Sequence, residues 1–144
     1  MTPRLGALAV VLKDGQVLLA QRKKAPDAGL WGFPGGHVEW GETVGEAAAR
    51  ELLDDTGVRA KPGCHLATLD LIKRGPDQSV ITHYLLVAVQ CEYLSGTPRA
   101  VSEIADARWV SVDAVRKDAL AMSERVGFVL EKALNAGSGL SPNT

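Results

Sequence analysis

The first part of the chain alternates short apolar runs with turn residues. Residues 6–12 and 17–20 are apolar, and Asp14-Gly15 lies between them. Because glycine accepts the positive φ of a tight turn, this pattern predicts a β-hairpin. Residues 23–32 are polar and contain Gly and Pro, which is typical of a loop, and Phe33-Pro34-Gly35-Gly36 is expected to end any regular element.

The clearest helix is predicted from Val44 to Thr56. Thr43 and Glu46 have the capping-box spacing, in which the Thr side chain accepts from the third residue's N–H and the Glu reaches back. Good helix formers follow. Gly57 stands where helices commonly end in the left-handed conformation, so we expect it to be structural.

The rest of the chain predicts more strands and one more helix. Residues 66–73 and 80–93 are expected to be strands around a loop, and residues 108–112 form one further strand. Apolar residues at helical spacing predict a last helix over about residues 123–135. Strands on both sides of a central helix predict an α/β fold with a mixed sheet between helices.

Composition narrows the class of protein. The 144 residues fit one domain, expected over 1–136 with a flexible tail over 137–144. The net charge of −1 lacks the basic excess of a nucleic-acid or anionic-membrane binder. The sequence shows neither a membrane-spanning run nor a signal peptide, and its two cysteines form no Cys-x-x-Cys pair. We therefore expect a soluble cytoplasmic protein.

Three carboxylates crowd one face of the predicted central helix. At about 100° per residue, Glu51 lies about 40° from Asp55 and about 60° from Asp54 on its other side. Like charges at this spacing repel, so the cluster destabilises the helix. A bound Mg²⁺ or Mn²⁺ would make the interaction favourable, because hard cations bind carboxylate oxygens. The alternative is a solvated acidic face, which most charge clusters are.

The flanking residues favour the metal site. Gly35 and Gly36 lie upstream, where glycine lets the backbone approach a ligand closely. Glu42 stands just before the capped helix. Arg50 lies about 40° from Asp54 and can fix a neighbouring carboxylate with its forked guanidinium.

Gly36, Glu42 and the run Arg50-Glu51-Leu52-Leu53-Asp54-Asp55-Thr56-Gly57-Val58 together resemble the signature of the Nudix hydrolases. The similarity extends from about residue 6 to residue 112. It implies the Nudix fold, an α/β/α sandwich with a central mixed sheet. It also implies hydrolysis of the pyrophosphate bond of a nucleoside diphosphate derivative by water, with Mg²⁺ or Mn²⁺ to screen the polyanionic substrate.

The resemblance also implies residue roles. Asp54 and Asp55 match the metal-binding pair, Glu51 matches a ligand or general base, and the carbonyl of Gly35 matches a further metal contact. Arg50 belongs to the catalytic group by orienting Glu51. The family has a Glu pair where this chain has two Asp residues, each shorter by about 1.5 Å. A weaker Mg²⁺ site or a changed metal preference is therefore expected.

Other residues are candidates for structural or substrate contacts. Within the signature, Gly36, Glu42 and Gly57 are implied to be structural. Outside it, Glu103 resembles the loop glutamate that some members use as an extra ligand or base, and an exposed loop charge is the alternative. Arg22 could meet phosphates from the side opposite the metals, or be a solvated strand end. His37 could contact phosphate, or be simply exposed.

Relatives that resemble this chain are compact bacterial ADP-ribose pyrophosphatases, so ADP-ribose, giving AMP and ribose 5-phosphate, is the leading substrate. The Pro that marks many such enzymes is absent, with Arg74 in its place. Residues 35–39 and 83–85 also resemble members that convert nucleoside triphosphates to monophosphate and pyrophosphate. A non-catalytic nucleotide-sensing module is a third hypothesis. A homodimer is an option, because many relatives dimerise.

Overall fold

The structure is a computed structural model that describes residues 1–24 and 27–137. Within those ranges the chain forms seven strands and three helices, which run in the order β1 (Arg4–Lys13), β2 (Gln16–Arg22), β3 (Trp31–Gly32), β4 (Gly35–His37), α1 (Val44–Thr56), β5 (Arg59–Arg74), β6 (Val80–Ser95), β7 (Ile104–Ser111), α2 (Val112–Arg116) and α3 (Val126–Gly137).

The strands form a mixed sheet, as predicted. Its order is β3-β2-β1-β6-β5, with β4 also paired to β1 and β7 paired to β2. β1 and β6 run parallel, whereas the pairs β1–β2, β1–β4, β2–β3, β2–β7 and β5–β6 are antiparallel. β1 therefore has partners on both sides and forms the centre of the molecule.

Helices cover both faces of this sheet. On one face, Ala9 and Val11 of β1 share a core with Leu52 of α1. On the other face, Val10 shares a core with Leu130 of α3. Because alternate residues of a strand point to opposite faces, burial on both faces explains the unbroken apolar run of β1. The α/β/α arrangement that the resemblance implied is confirmed.

The predicted hairpin and central helix are confirmed. Asp14 and Gly15 form the two-residue turn between β1 and β2, with φ of 51° and 75°. Helix α1 begins and ends at the predicted residues. Thr43 and Glu46 form the reciprocal capping box, and Gly57 ends the helix at φ 78° with its N–H donating to the carbonyl of Leu53.

Two strand predictions are wrong in extent. Gly35 and Gly36 do not end regular structure, because they form β4 across from Leu8 and Ala7 of β1. β5 begins at residue 59, well before residue 66. Pro62 hides this start in the sequence, and it is tolerated because β5 is at the edge of the sheet.

The predictions for the last elements also need correction. β7 ends at Ser111, whose side chain accepts from the N–H of Ala114 and caps the unpredicted helix α2. The last helix begins at Val126 rather than near Ser123. Arg125 has φ 73°, which interrupts helical geometry, and the N–H of Ser123 donates to the carbonyl of Trp31 instead.

Two expectations concern the ends and surroundings of the domain. Gly137, expected to open the tail, is the last residue of α3, and residues 138–144 lie outside the described residues. Within the described ranges, none of the helices has the length and apolar character needed to cross a membrane.

Candidate functional site

The carboxylate of Glu51 lies against the backbone of Gly36. β4 and α1 both contact β1, so the two segments meet over the same strand. A Cβ placed on Gly36 would lie 2.4 Å from Oε2 of Glu51, and one placed on Gly35 would lie 2.2 Å from the carbonyl oxygen of Ala7. Glycine is therefore required at both positions for close approach.

Arg50 connects the acidic helix to the loop before it. Its Nε and Nη2 donate to the two carboxylate oxygens of Glu42 at 2.7 and 3.0 Å. Its Nη2 also donates to the carbonyl of His37 at 2.9 Å, and its Nη1 donates to Oε2 of Glu51 at 3.1 Å. This forked pairing fixes the 37–42 loop and the orientation of Glu51 together.

The pairing changes how Glu42 ionises. The hydrogen bonds from the Arg50 side chain, followed by the backbone N–H of Glu39, lower the pKa of Glu42 from 4.5 to about 2. The same contacts raise the pKa of Arg50. Both groups are therefore charged throughout the physiological range.

Asp55 is the most perturbed acid of the cluster. It is partly buried, and desolvation is the largest cause that raises its pKa from 3.8 to about 7, followed by repulsion from Glu51 and Asp54. The positive charges of Arg22 and Arg50 act in the opposite direction. Burial therefore raises the pKa of Asp55 more than repulsion from its two acidic neighbours does.

The donors at this site suit a hard divalent cation. Glu51, Asp54 and Asp55 offer carboxylate oxygens, and the approach of Glu51 to Gly36 needs the space that a Cβ would fill. Among the described residues, no three His, Cys, Asp or Glu side chains stand together closely enough to hold a metal ion. Asp54 is 60% exposed, with Oδ2 3.8 Å from Nη1 of Arg50, so its side chain must turn to join a shared site.

A cavity of about 310 Å³ opens beside the acids. Gly35, Gly36 and Asp55 line one part of it, and Arg22 lines it beside Asp55. The remaining walls are mainly apolar and come from the sheet and from the start of α3, including Leu8, Phe33, Leu69, Leu86 and Val129. The cavity therefore combines an acidic, glycine-lined end with walls that suit an organic group.

Glu103 lies apart from the acidic face. It is 64% exposed and forms an ion pair with Lys24, which lowers its pKa. Its loop is nevertheless tied to the end of α1, because the N–H of Val101 donates to the carbonyl of Asp55 at 3.2 Å. The structure thus holds Glu103 near the site's edge without contact to the acids it was expected to join.

His37 is paired with a cavity residue. Its Nε2 is 2.5 Å from the hydroxyl of Tyr84, and the two rings stack with centroids 5.4 Å apart. Tyr84 lines the cavity. His37 therefore supports the cavity wall from outside, in addition to accepting from Arg50 with its carbonyl.

Sequence reasoning missed three polar residues of the cavity wall. Asp27, Lys73 and Arg125 line it from the β2–β3 loop, β5 and the residue before α3. No spacing along the chain connects these three residues. The turn composition around Asp27 predicts a loop, but it does not predict that Asp27 lines the cavity.

Known proteins resemble this chain along most of its length. Residues 2–129 match the family model of the NUDIX domain. The phosphatase NudJ of Shigella boydii is 34% identical over 115 residues, which are 80% of this chain and 72% of that protein.

Solved structures extend the likeness to the fold. A MutT NUDIX hydrolase from Burkholderia pseudomallei has a TM-score of 0.79 and 30% identity, covering 92% of this chain and 98% of that one. The E. coli ORF135 protein has a TM-score of 0.72 and 28% identity, over 96% and 93% of the two chains. The names of these relatives do not specify ADP-ribose, so the expected resemblance to ADP-ribose pyrophosphatases is supported at the level of the family.

Proposed function

This chain belongs to the Nudix family of hydrolases, which act on nucleotide-type substrates, and we propose that its own substrate is a nucleoside diphosphate derivative, ADP-ribose first. The observation that carries the proposal is the position of the signature acids. Glu51 is fixed against Gly36 by Arg50, and Asp55 lines the cavity together with Gly35 and Gly36. If a diphosphate bound beside these acids, the organic groups attached to it would contact the apolar walls of the cavity.

The charge balance of the cavity favours a diphosphate with two capped ends over a triphosphate. Of the three cations that line it in the described part of the chain, Lys73 is 4.0 Å from Asp27 and Arg22 is attracted by Asp55, so part of their positive charge is already balanced. A triphosphate carries more negative charge and would need additional cations. ADP-ribose has a shorter anionic segment and uncharged groups on both sides.

Mg²⁺ or Mn²⁺ is the proposed cofactor, held by Glu51, Asp54 and Asp55 with the carbonyl of Gly35. When bound, such an ion neutralises the diphosphate and makes water a better nucleophile. Glu51 is the proposed proton acceptor, because it is only 20% exposed and its orientation is fixed by Arg50. Asp54 and Asp55 supply the remaining charge, and Asp54 reaches the site by turning its exposed side chain.

Arg22, His37 and Glu103 have supporting roles in this proposal. Arg22 lines the cavity beside Asp55, where it would meet a phosphate oxygen. His37 would hold Tyr84 in the wall through their short contact. Glu103 would orient water or bind metal only after its ion pair with Lys24 is broken. We therefore expect substitution of Glu103 to lower kcat less than substitution of Glu51.

The test is hydrolysis of a nucleotide panel with Mg²⁺ and with Mn²⁺, with products separated by chromatography. We expect AMP and ribose 5-phosphate from ADP-ribose, and a loss of 10²-fold or more in kcat for Glu51→Gln. Glu131→Gln is the matched control, since Glu131 lies on α3 and pairs with Arg116. Full activity of Glu51→Gln would remove this residue from the mechanism, and no turnover of any substrate would refute the proposal.

A second candidate is hydrolysis of nucleoside triphosphates to monophosphate and pyrophosphate. It is favoured by the contact between His37 and Tyr84, because these residues belong to the two segments that resemble triphosphate-cleaving members. The products distinguish the two reactions. Release of pyrophosphate from a triphosphate, at a higher kcat/KM than ADP-ribose cleavage, would favour this candidate.

A further inference from the structure

We propose that Asp27 and Lys73 are a specificity-determining pair that recognises the hydrogen-bonding edge of the substrate's nucleobase. This inference rests on the proposed function and adds to it the residues that distinguish one base from another. It concerns polar residues of the cavity wall that are not part of the acidic cluster.

The geometry of the pair leaves room for a ligand. Oδ1 of Asp27 and Nζ of Lys73 are 4.0 Å apart, close enough to attract but too far for a direct hydrogen bond. Asp27 is 25% exposed and Lys73 31% exposed, and both line the cavity. An acceptor and a donor therefore stand side by side in a largely shielded place, where a hydrogen bond to a ligand is worth more than in water.

The backbone holds Asp27 in an unusual conformation. Its φ is +63°, in the left-handed region that few residues other than glycine adopt, although Asp tolerates it. Residues 27–30 are held by backbone hydrogen bonds: the N–H of Leu30 donates to the carbonyl of Asp27 at 3.0 Å, and the N–H of Gly29 donates to the carbonyl of Arg22 at 2.8 Å. Such conformations concentrate at ligand-binding sites, where the surrounding structure maintains them.

Lys73 is also placed by a local irregularity. The pairing of β5 with β6 shifts its register between Lys73 and Arg74. A bulge of this kind redirects the side chains beside it and is common next to active sites. Two separate elements, each with a departure from regular geometry, thus bring one acid and one base to the same wall.

The chemistry of the pair favours a nucleobase over a phosphate. A phosphate would be attracted by Lys73 and repelled by Asp27, whereas a neutral group with a donor beside an acceptor satisfies both. Nucleobase edges have this arrangement, and its order differs between bases. Apolar walls from Phe33, Leu69 and Leu71 suit the faces of a planar ring.

The experiment measures binding of ADP, GDP, CDP and UDP, which share one phosphate chain and one ribose, by calorimetric titration. The variants are Asp27→Asn, Lys73→Met and the exchange Asp27→Lys with Lys73→Asp. Asn tolerates the left-handed backbone, so Asp27→Asn removes the charge with little strain. Glu131→Gln is the control, because it breaks an ion pair with Arg116 whose residues do not line the cavity.

We expect the wild-type protein to prefer one base, and each single variant to reduce that preference by about 10- to 100-fold, which is the effect of one hydrogen bond to a charged group. The exchange variant restores the ion pair but reverses donor and acceptor, so it should not restore the original preference. The control variant Glu131→Gln should keep the base preference of the wild-type protein.

Four results would overturn the inference. They are the absence of nucleotide binding, the absence of a base preference, an equal loss for all four nucleotides, and recovery of the original preference in the exchange variant. Equal loss would indicate contact with the shared ribose, and recovery would indicate a purely structural ion pair. Because binding is measured without turnover, a base preference that depends on the pair can stand even if the panel shows no hydrolysis, which refutes only the proposed function.

Discussion

Replacement of Gly36 by Ala should displace the carboxylate of Glu51 without unfolding the protein. The added Cβ would lie 2.4 Å from Oε2 and 2.5 Å from Cδ of Glu51. These atoms are the end of a flexible side chain, so the carboxylate can move and the backbone of β4 can stay. We expect the variant to fold and to lose activity.

The size of the effect follows from the displacement. An ordinary contact begins at 3.4 Å, so Oε2 must move by 3.4 − 2.4 = 1.0 Å. A misplacement of about 1 Å at a reacting group can cost about 10²-fold in rate. The stability loss should be only about 1 kcal/mol, which is the usual net value of a hydrogen bond such as that between Arg50 and Glu51.

Two alanine variants provide the controls. Gly35→Ala places its Cβ 2.2 Å from the carbonyl oxygen of Ala7, a backbone atom of the central strand, and should lower the free energy of unfolding by about 1–3 kcal/mol. Gly32→Ala would place its Cβ at ordinary contact distances from the Ser123 side chain, 3.4 Å from Oγ and 3.7 Å from Cβ, and should be close to neutral.

The assay combines kcat/KM on the best substrate of the panel with denaturant unfolding of each variant. In a Glu51→Gln background, Gly36→Ala should cause little further loss of rate, because both changes act on the same carboxylate. The reasoning is refuted if Gly36→Ala retains activity within threefold of wild type. It is also refuted if its activity falls only in proportion to the folded fraction.

Two further predictions concern the metal and the ion pair. The double variant Asp54→Glu with Asp55→Glu should tighten Mg²⁺ binding by about tenfold, or about 1.4 kcal/mol, if side-chain reach limits the site, and titration calorimetry that shows weaker binding would contradict this. Glu42→Gln should destabilise the protein at pH 7, because the pKa of Glu42 is lowered from 4.5 to about 2 in the folded state. The stabilising effect of Glu42 is present above about pH 4.5 and is lost as the pH falls through about 2. The difference in unfolding free energy between the variant and wild type should therefore shrink over that interval. A constant difference would argue against the pairing with Arg50.

The central helix and its acids could be predicted because their determinants are local. The capping box at Thr43, the left-handed Gly57 and the helical spacing of Glu51 to Asp55 all lie within one short segment. Each signal depends on neighbours three or four residues away, which a sequence displays directly. The predicted first and last residues of α1, Val44 and Thr56, are therefore those of the structure.

The pairing of Asp27 with Lys73 in the cavity wall could not be predicted, because the two residues are distant in sequence. Asp27 and Lys73 meet only after the β2–β3 loop and the β5–β6 hairpin pack near each other. The start of α3 also differs from the prediction, because Arg125 is left-handed and the N–H of Ser123 donates to Trp31, a residue distant in sequence. Local periodicity contains no information about such tertiary contacts.

The role of Glu42 follows from the charges around Arg50. Three acids on one helix face need a cation, yet an arginine that neutralised Glu51 would compete with a metal for it. Arg50 donates two hydrogen bonds to the carboxylate of Glu42, at 2.7 and 3.0 Å, and a single one, at 3.1 Å, to Glu51. Glu42 thus balances part of the Arg50 charge from outside the acidic face, while Arg50 still orients Glu51. The face of Glu51, Asp54 and Asp55 therefore keeps the negative charge that favours a divalent ion, and Glu42 is the residue that makes this separation possible.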